Sequence, residues 1–308
     1  SKRFNDSLPP AEWSFGTYVR PYKHGSSSWR SPGTHDMVEN ILWASIAGKD
    51  ITGGAETGDD ASAIAVDSSN ADVTFARSEH HELLKLSIYF ALENTTYRLN
   101  EAQVNQCEID FSIDGIAQLT WSGNATTIDQ VNTAIEDPSK SLHAKPSGTD
   151  TSVTTVTYVE GYNYADCSGP DDADYLRNKL STLSLSATKN SNGVLDPTAS
   201  DSTTQYDINI TGGSITIANN ITYVTPETLG LVDKPIGSFT GARQISGSLT
   251  MYLDTKTDGS NQLLSDLTAA TSLVTNEFNM SLLMGGASGA SPLVTFALPK
   301  AHLQIPTI

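Results

Sequence analysis

The sequence predicts a mainly β protein: an antiparallel β-sandwich or barrel with one or two short flanking helices and long loops. Three observations lead there. Apolar residues recur at every second position in about ten short runs, the period of a half-buried strand. Clusters of Gly, Asn, Asp, Ser and Pro separate the runs, which favours hairpins and meanders over parallel crossovers. Helical spacing is confined to two stretches.

The stretch 214–253 is the one around which the others arrange themselves. Ile215, Ile217, Ile221 and Tyr223 alternate with Thr216, Ala218, Asn220 and Thr222, giving a strand through Asn219-Asn220. A second run sets Ile245, Leu249, Met251 and Leu253 against Ser246, Ser248, Thr250 and Tyr252. Between them, from Val224 to Gln244, lies a connection of roughly twenty residues, long enough to be functional. It holds no reactive constellation and reads as an interaction loop.

From the N-terminus, Trp13, Phe15, Tyr18 and Val19 mark a first strand closed by Pro21, with a phase slip that suggests a bulge near Gly16. Thr34 is positioned to cap a helix bearing Val38, Ile41, Leu42 and Ile46, with Gly48 past its end. Strands follow at Val73 and Phe75, and at Leu84, Leu86, Ile88 and Phe90. In 108–122, Ile109, Phe111 and Ile113 share one face of a hairpin, and Ala117, Leu119 and Trp121 share the other arm's. A two-residue Asp114-Gly115 turn would set Phe111 against Gln118, so a bulged or three-residue connection is expected.

A strand is expected at Val153–Val159, an acidic turn at Asp171, Asp172 and Asp174, and a strand beginning at Leu183 and Leu185. After a polar loop over 189–205, Tyr206, Ile208 and Ile210 alternate into the 214–253 stretch. Ser260 is placed to cap a short helix with Leu263, Leu264 and Leu267. Strands at Phe278–Met284 and Val294–Leu298 flank a GGASGAS loop, and PKAHLQIPTI reads as an extended arm. No composition break divides the chain. The expectation is one β-domain over 1–308 with polar excursions at about 49–70 and 134–175.

Charge narrows the function. Lys and Arg number 18 against 35 Asp and Glu, a formal net charge of −17 in 308 residues. That field repels phosphate and gives no counterion-release affinity for nucleic acid. SKRFNDSLPP has no apolar core of a secretory signal, and no apolar run approaches the ~18 residues of a membrane helix, so cytosolic synthesis without a membrane span is expected. Cys107 and Cys167 read as two free, partly buried thiols or one disulfide.

Signals for chemistry are sparse. His80, His81 and Glu82 lack the i, i+4 spacing that brings two imidazoles to one metal, and His24, His35, His143 and His302 are scattered. The chain has no G-x-S-x-G elbow and no Walker A loop. Glu108 and Asp110 resemble a glycosidase pair only in being two carboxylates; they fall on the polar side of a strand, as in any half-exposed strand. The aspartates at 171, 172 and 174 lack the Gly and Glu positions of a calcium loop. No catalytic residue, metal site or cofactor is expected.

The run NNITYVTPETLG, followed by KPIGSFTGAR and ISGSLTMYL, resembles the major tail tube proteins of tailed bacteriophages. So do WSFGTYVRPY with the later VENILWASI, and LSIYFALENTTYRLNEAQVNQCEIDFSIDGIAQLTWSG is similar to that family's central strands and hairpin. The resemblance implies a β-sandwich or barrel of the tail tube type that is not an enzyme. It implies subunits forming rings, usually of six, that stack into a hollow tube by which DNA travels from capsid to host without specific binding. Trimeric rings of a tandem domain also occur in the wider family. The implied partners are further copies of the chain and the tape measure, terminator and baseplate or tip proteins. The implied location is the virion tail, assembled in the host cytoplasm.

Two points of physics agree with that implication. Neutral Ser/Thr-faced strands such as 245–253 suit a sheet continued by a neighbour, and a lumen without cations would not hold phosphate. Glu108 and Asp110 are the lumen candidates. The competing readings are a carbohydrate-binding or adhesin-like β-sandwich, with Trp29, Tyr162 and Tyr164 as sugar platforms, and a capsid-decoration protein.

Overall fold

The computed structural model describes residues 9–23, 35–37, 39–50, 66–67, 72–73, 75, 81–92, 95–131, 175–200, 202–225, 235–269, 276–286 and 293–304. The expected Val153–Val159 strand, the acidic turn, Thr34, Cys167 and nearly all of both excursions lie outside these residues.

The N-terminal elements are β1 (Ala11–Tyr18), β2 (Pro21–Lys23), β3 (His35–Met37), α1 (Asn40–Ala47), β4 (Lys49–Asp50), β5 (Val66–Asp67), β6 (Asp72–Val73) and β7 (His81–Glu82). Then come β8 (Leu86–Leu92), β9 (Thr95–Asp110), β10 (Gln118–Ala125) and β11 (Thr127–Val131). The remainder are β12 (Thr182–Lys189), β13 (Ser202–Tyr206), β14 (Ile210–Ala218), β15 (Ile221–Val224), β16 (Gly237–Thr240), β17 (Gln244–Met251), α2 (Ser260–Ala269), β18 (Glu277–Gly285) and β19 (Leu293–His302). The fold is mainly β. One open sheet runs β1-β10-β9-β14-β17, with β8 and β11 also paired to β9, and a second runs β13-β12-β18-β19. Among the described residues no sheet closes into a barrel.

Two compact units interleave along the sequence. The first comprises Ser1–Ile109, Gln118–Asp174 and Ile215–Ser246; the second comprises Asp110–Ala117, Tyr175–Ser214 and Gly247–Ile308.

In the first unit, β1 lies antiparallel to β10 without a break, from Ala11 opposite Ala125 to Tyr18 opposite Gln118. The register excludes the expected bulge near Gly16. The phase slip comes from strand exit: Tyr18 stays 41% exposed at the end of β1 while Val19, beyond it, is buried. Pro21 opens β2 rather than closing β1, since a two-stranded edge leaves its missing N–H without cost. Gly123 of β10 admits the close packing here, because a Cβ would collide with the Gln103 carbonyl and lie 2.7 Å from the Trp13 ring.

Helix α1 starts at Asn40, with Glu39 at its N-cap, so the expected Thr34 cap is too early. The Glu39 carbonyl accepts from the N–H groups of Leu42 and Trp43 at 2.9 and 3.1 Å. Gly48 ends the helix at φ 71°, a left-handed conformation suited to glycine. Trp43 meets Trp121 edge-to-face with centroids 4.9 Å apart, and Trp121 Nε1 donates to Thr17 Oγ1 at 2.9 Å. Ile46, Val104, Cys107, Ile109 and Leu119 are buried around them. Cys107 is a free thiol whose pKa burial pushes well up, so it is inert packing.

The strand expected through Asn219-Asn220 is broken there. Asn220 sits at φ 52°, β14 ends at Ala218 and β15 begins at Ile221. The roughly twenty-residue connection also contains order: β16 pairs back on β15, Ile221 opposite Thr240 and Val224 opposite Gly237.

In the second unit, β12 is paired on both sides, with Leu185 opposite Tyr206 of β13 and opposite Met280 of β18. Leu185, Tyr206, Phe278, Leu282, Leu263 and Leu267 form its core. Tyr206 Oη donates to Asp266 Oδ2 at 2.7 Å, and Lys189 Nζ pairs with the same oxygen at 2.5 Å. Ser260 is the first residue of α2; its hydroxyl donates to the Tyr252 carbonyl at 2.8 Å instead of capping the helix.

The 111–117 connection also departs from expectation. Gly115 N–H bonds the Ser112 carbonyl at 3.0 Å, closing a turn in which Gly115 does not take positive φ. The flanks pair elsewhere: Phe111 and Ile113 N–H groups donate to the carbonyls of Gly213 and Thr211, and Ala117 N–H to that of Leu176. The mirror-type turn that Asp-Gly would favour, and the three-residue alternative, both give way to these pairings. Phe111 is buried, while Ile113 is 41% exposed instead of sharing its face.

Candidate assembly surface

The strands of the first sheet are unusual in what they lack. β1, β10, β14 and β17 contain no lysine, arginine or histidine, and β9 contains one cation, Arg98. Arg98 is held by Asp129 at 3.4 Å. The acidic residues on the same strands are Glu12, Glu101, Glu108 and Asp110. Alternation places Cys107 and Ile109 in the core and exposes Glu108 and Asp110 on the other face of β9. Gln118 and Thr120 of β10 and Glu12 and Ser14 of β1 are exposed as well. An open groove of about 350 Å³ runs past Glu12, Ser14, Asn105, Ser122 and Asn124. The surface is polar, acidic at scattered points and nearly free of positive charge.

Asp110 has a second task. Its Oδ1 accepts from Ser112 N–H at 3.0 Å and Ser112 Oγ at 2.8 Å, which fixes the entry to the 112–115 turn. Glu108 has no comparable tie among the described residues. The two carboxylates share a strand face without forming a pocket between them.

β17 stands at the end of the sheet path, and its eight residues are exposed or half-buried on both faces. Ile245 is 43% exposed, and Tyr252 and Leu253 just beyond are each 67% exposed. A long, uncharged edge strand exposed on both sides is a template for pairing with another chain.

The β15–β16 hairpin presents another such surface. Its inner side is tied down: Tyr223 Oη donates to the Asn124 carbonyl at 3.1 Å and Ser238 Oγ to Gln103 Oε1 at 2.6 Å. Burial and the cost of ionising near Glu101 push the Tyr223 phenol to about 12, so it stays a neutral donor. Its outer side leaves Val224, Ile236 and Phe239 exposed.

Asn219 is buried, in phase with Ile215 and Ile217. Its Nδ2 donates to the carbonyls of Ile46 at 2.9 Å and Val104 at 3.3 Å, and its Oδ1 accepts from Arg243 Nε at 2.9 Å. Arg243 also donates to the Ile46 and Ala47 carbonyls at the end of α1 and stacks 5.0 Å over the Phe75 ring. Burial lowers its pKa to about 10, which leaves it charged near neutrality. Sequence reading missed this hub; its signal was one arginine in a neutral run, GARQISGS.

Other candidate residues do not converge. His81 and Glu82 form β7, paired with Lys49 and Asp50 of β4. His302 Nδ1 lies 2.9 Å from the Asn276 carbonyl. Among the described residues no three His, Cys, Asp or Glu side chains gather as a metal site. Trp29, Tyr162, Tyr164, His24, His80 and His143 lie outside those residues. No described helix is long and apolar enough to cross a membrane.

Comparison with known proteins agrees with this surface-dominated reading. A family model described as phage tail tube protein matches residues 42–307. The chain is 36% identical over 310 residues to the tail tube protein pb6 of Escherichia phage T5, an alignment covering 100% of this chain and 58% of that relative. The chain thus spans a little over half the length of the curated relative it matches. With a match over most of its length and that identity across all of it, the chain belongs to the phage tail tube protein family.

Proposed function

We propose that this chain is the repeating subunit of a phage tail tube, closing into rings that stack around a lumen through which DNA leaves the capsid for the host. The observation that carries the reading is the near absence of cations from β1, β10, β9, β14 and β17. Double-stranded DNA holds about one negative charge per 1.7 Å, and each lysine or arginine on its path would release counterions and bind it. A wall of Ser, Thr, Asn and Gln with occasional carboxylates gives no such grip. Glu108 and Asp110 are the lumen-facing acids of this proposal.

The ring uses six copies of the whole chain, assembled in the host cytoplasm and incorporated into the virion tail. The doubly exposed β17 supports lateral continuation of the sheet by a neighbour. Tape measure, terminator and baseplate or tip proteins meet the finished tube at its inside and its ends. The chemistry is structural, without a catalytic step or cofactor.

Electron microscopy of purified protein at rising concentration tests the reading. Rings and hollow tubes of uniform diameter are expected, with six-fold symmetry in end-on averages. Three-fold averages would replace the stoichiometry and keep the tube. A protein that stays monomeric at high concentration and is missing from purified tails would sink the proposal.

A further inference from the structure

In the second unit, the 112–117 turn and the 175–180 segment build a small knob. Ile116 and Arg177 form an antiparallel bridge. The Asn178 N–H donates to the Gly115 carbonyl at 3.1 Å, and Asn178 Nδ2 donates to the Ser112 carbonyl at 2.8 Å. Asn178, with 6% of its surface exposed, is the buried pin of the knob. A Cβ at Gly115 would lie 3.3 Å from Asn178 Nδ2, so the two segments sit close.

The knob's outer surface is apolar and basic. Ile113, Ile116, Tyr175 and Leu180 are 41%, 40%, 55% and 57% exposed. Arg177 and Lys179 are exposed between them, and neither forms a salt bridge with any described residue. Four large apolar side chains in water at one small feature mark a contact surface. Arg177 and Lys179, against the single exposed carboxylate of the turn, Asp114, give the described surface of the knob a net positive sign on a chain of net charge −17.

We infer that this knob docks onto an acidic, partly apolar surface of a second copy of the chain. The occupant follows from charge complementarity: on a protein of net charge −17, a projection that is apolar and net positive attracts the acidic surface of another copy. A patch that meets a different patch on the next copy is heterologous, and such contacts propagate into rings or filaments instead of stopping at a dimer. The inference rests on the tube reading above. It adds which feature of the subunit makes a contact and with what chemistry.

The test compares the critical concentration for assembly, read by light scattering and electron microscopy, between the wild type and two variants. R177E/K179E reverses the charge, and I116S/L180S removes apolar surface. All four side chains are exposed, so both variants should keep the wild-type circular dichroism spectrum and unfolding midpoint. At least a tenfold rise in critical concentration is expected for each, with R177K/K179R close to wild type. Tube formation by the wild type reports on the proposed function by itself. Wild-type tubes with an unchanged threshold in R177E/K179E would overturn the knob while leaving the tube standing. A wild-type gel shift of duplex DNA that R177E/K179E abolishes, with assembly unaltered, would assign the cations to DNA and likewise overturn it.

Discussion

Arg243 Nε donates to Asn219 Oδ1 at 2.9 Å, and the same guanidinium reaches the carbonyls of Ile46 and Ala47 at 3.0 and 2.8 Å. One planar cation thus orients a buried amide and closes the C-terminal end of α1. A lysine has the charge without the fork. R243K should lose about 2 kcal/mol of stability, because the helix-end carbonyls stay buried without a donor. Urea unfolding of the variant against wild type measures it.

Glu39 sets a pH dependence. Its side chain is 1% exposed and Arg20 Nε stands 3.5 Å away, too long to offset burial, so desolvation raises the carboxyl to about 7 despite the attraction of Arg20. The folded protein therefore holds this proton more tightly than the unfolded chain. Its stabilising effect is fully present below the ordinary value of 4.5 and is lost as pH rises through about 7. Between pH 8 and pH 5 the wild type should gain roughly 2–3 kcal/mol from this group. E39Q should flatten that difference and be the more stable protein at pH 8, as read from denaturant midpoints at the two values.

Lys189 and Asp266 form a buried pair at 2.5 Å, with Tyr206 on the same carboxylate oxygen and Gln262 Nε2 on Oδ1 at 2.9 Å. D266N leaves the ammonium buried without its anion and should cost about 3–5 kcal/mol. K189M/D266L, which removes both charges, should recover most of that loss. A double-mutant cycle by thermal unfolding separates the two.

Gly123 faces the Gln103 carbonyl and the Trp13 ring with no room for a methyl group. G123A should cost about 1–3 kcal/mol by forcing β1 away from β10. Faster hydrogen exchange along Ala11–Tyr18 than elsewhere in the first unit is the accompanying signature.

In the proposed lumen, E108K should leave tubes intact and impair DNA ejection, scored as infectivity at equal particle number. D110K confounds charge with the lost hydrogen bonds to Ser112, so D110N is the matching control. Unchanged infectivity of E108K particles would move Glu108 out of the lumen.

Strand period was legible wherever one face meets the core. Ile109, Leu119 and Trp121, Leu185, and Phe278 with Leu282 all fell on the buried side that alternation predicts. What the sequence hid was decided by partners distant along the chain. Asp114-Gly115 looks locally like a tight hairpin turn, yet its flanks pair with 211–213 and 176–177. Asn219-Asn220 continues an alternating pattern, yet the strand breaks there: Asn220 turns to φ 52° and Asn219 is held by carbonyls 173 and 115 positions away. The acidic, cation-poor character of the sheet was readable in composition. The hub at Arg243 and the knob at Ile116 and Arg177 were not, because neither has a periodic or motif signal.

The two interleaved units have a consequence for when the protein becomes competent. Neither occupies one continuous run: the first needs 215–246 before Asn219 and Arg243 can lock α1, and the second waits on β18 and β19 near the end of the chain. Residues 1–109 and 118–174 cannot complete the first core until 215–246 have followed them. The first unit is completed only after residue 246 has left the ribosome, and the second only after β18 and β19 have followed. A chain that stops before residue 215 therefore lacks both cores, and one that stops before β18 lacks the second, which excludes either from any structure built of complete subunits.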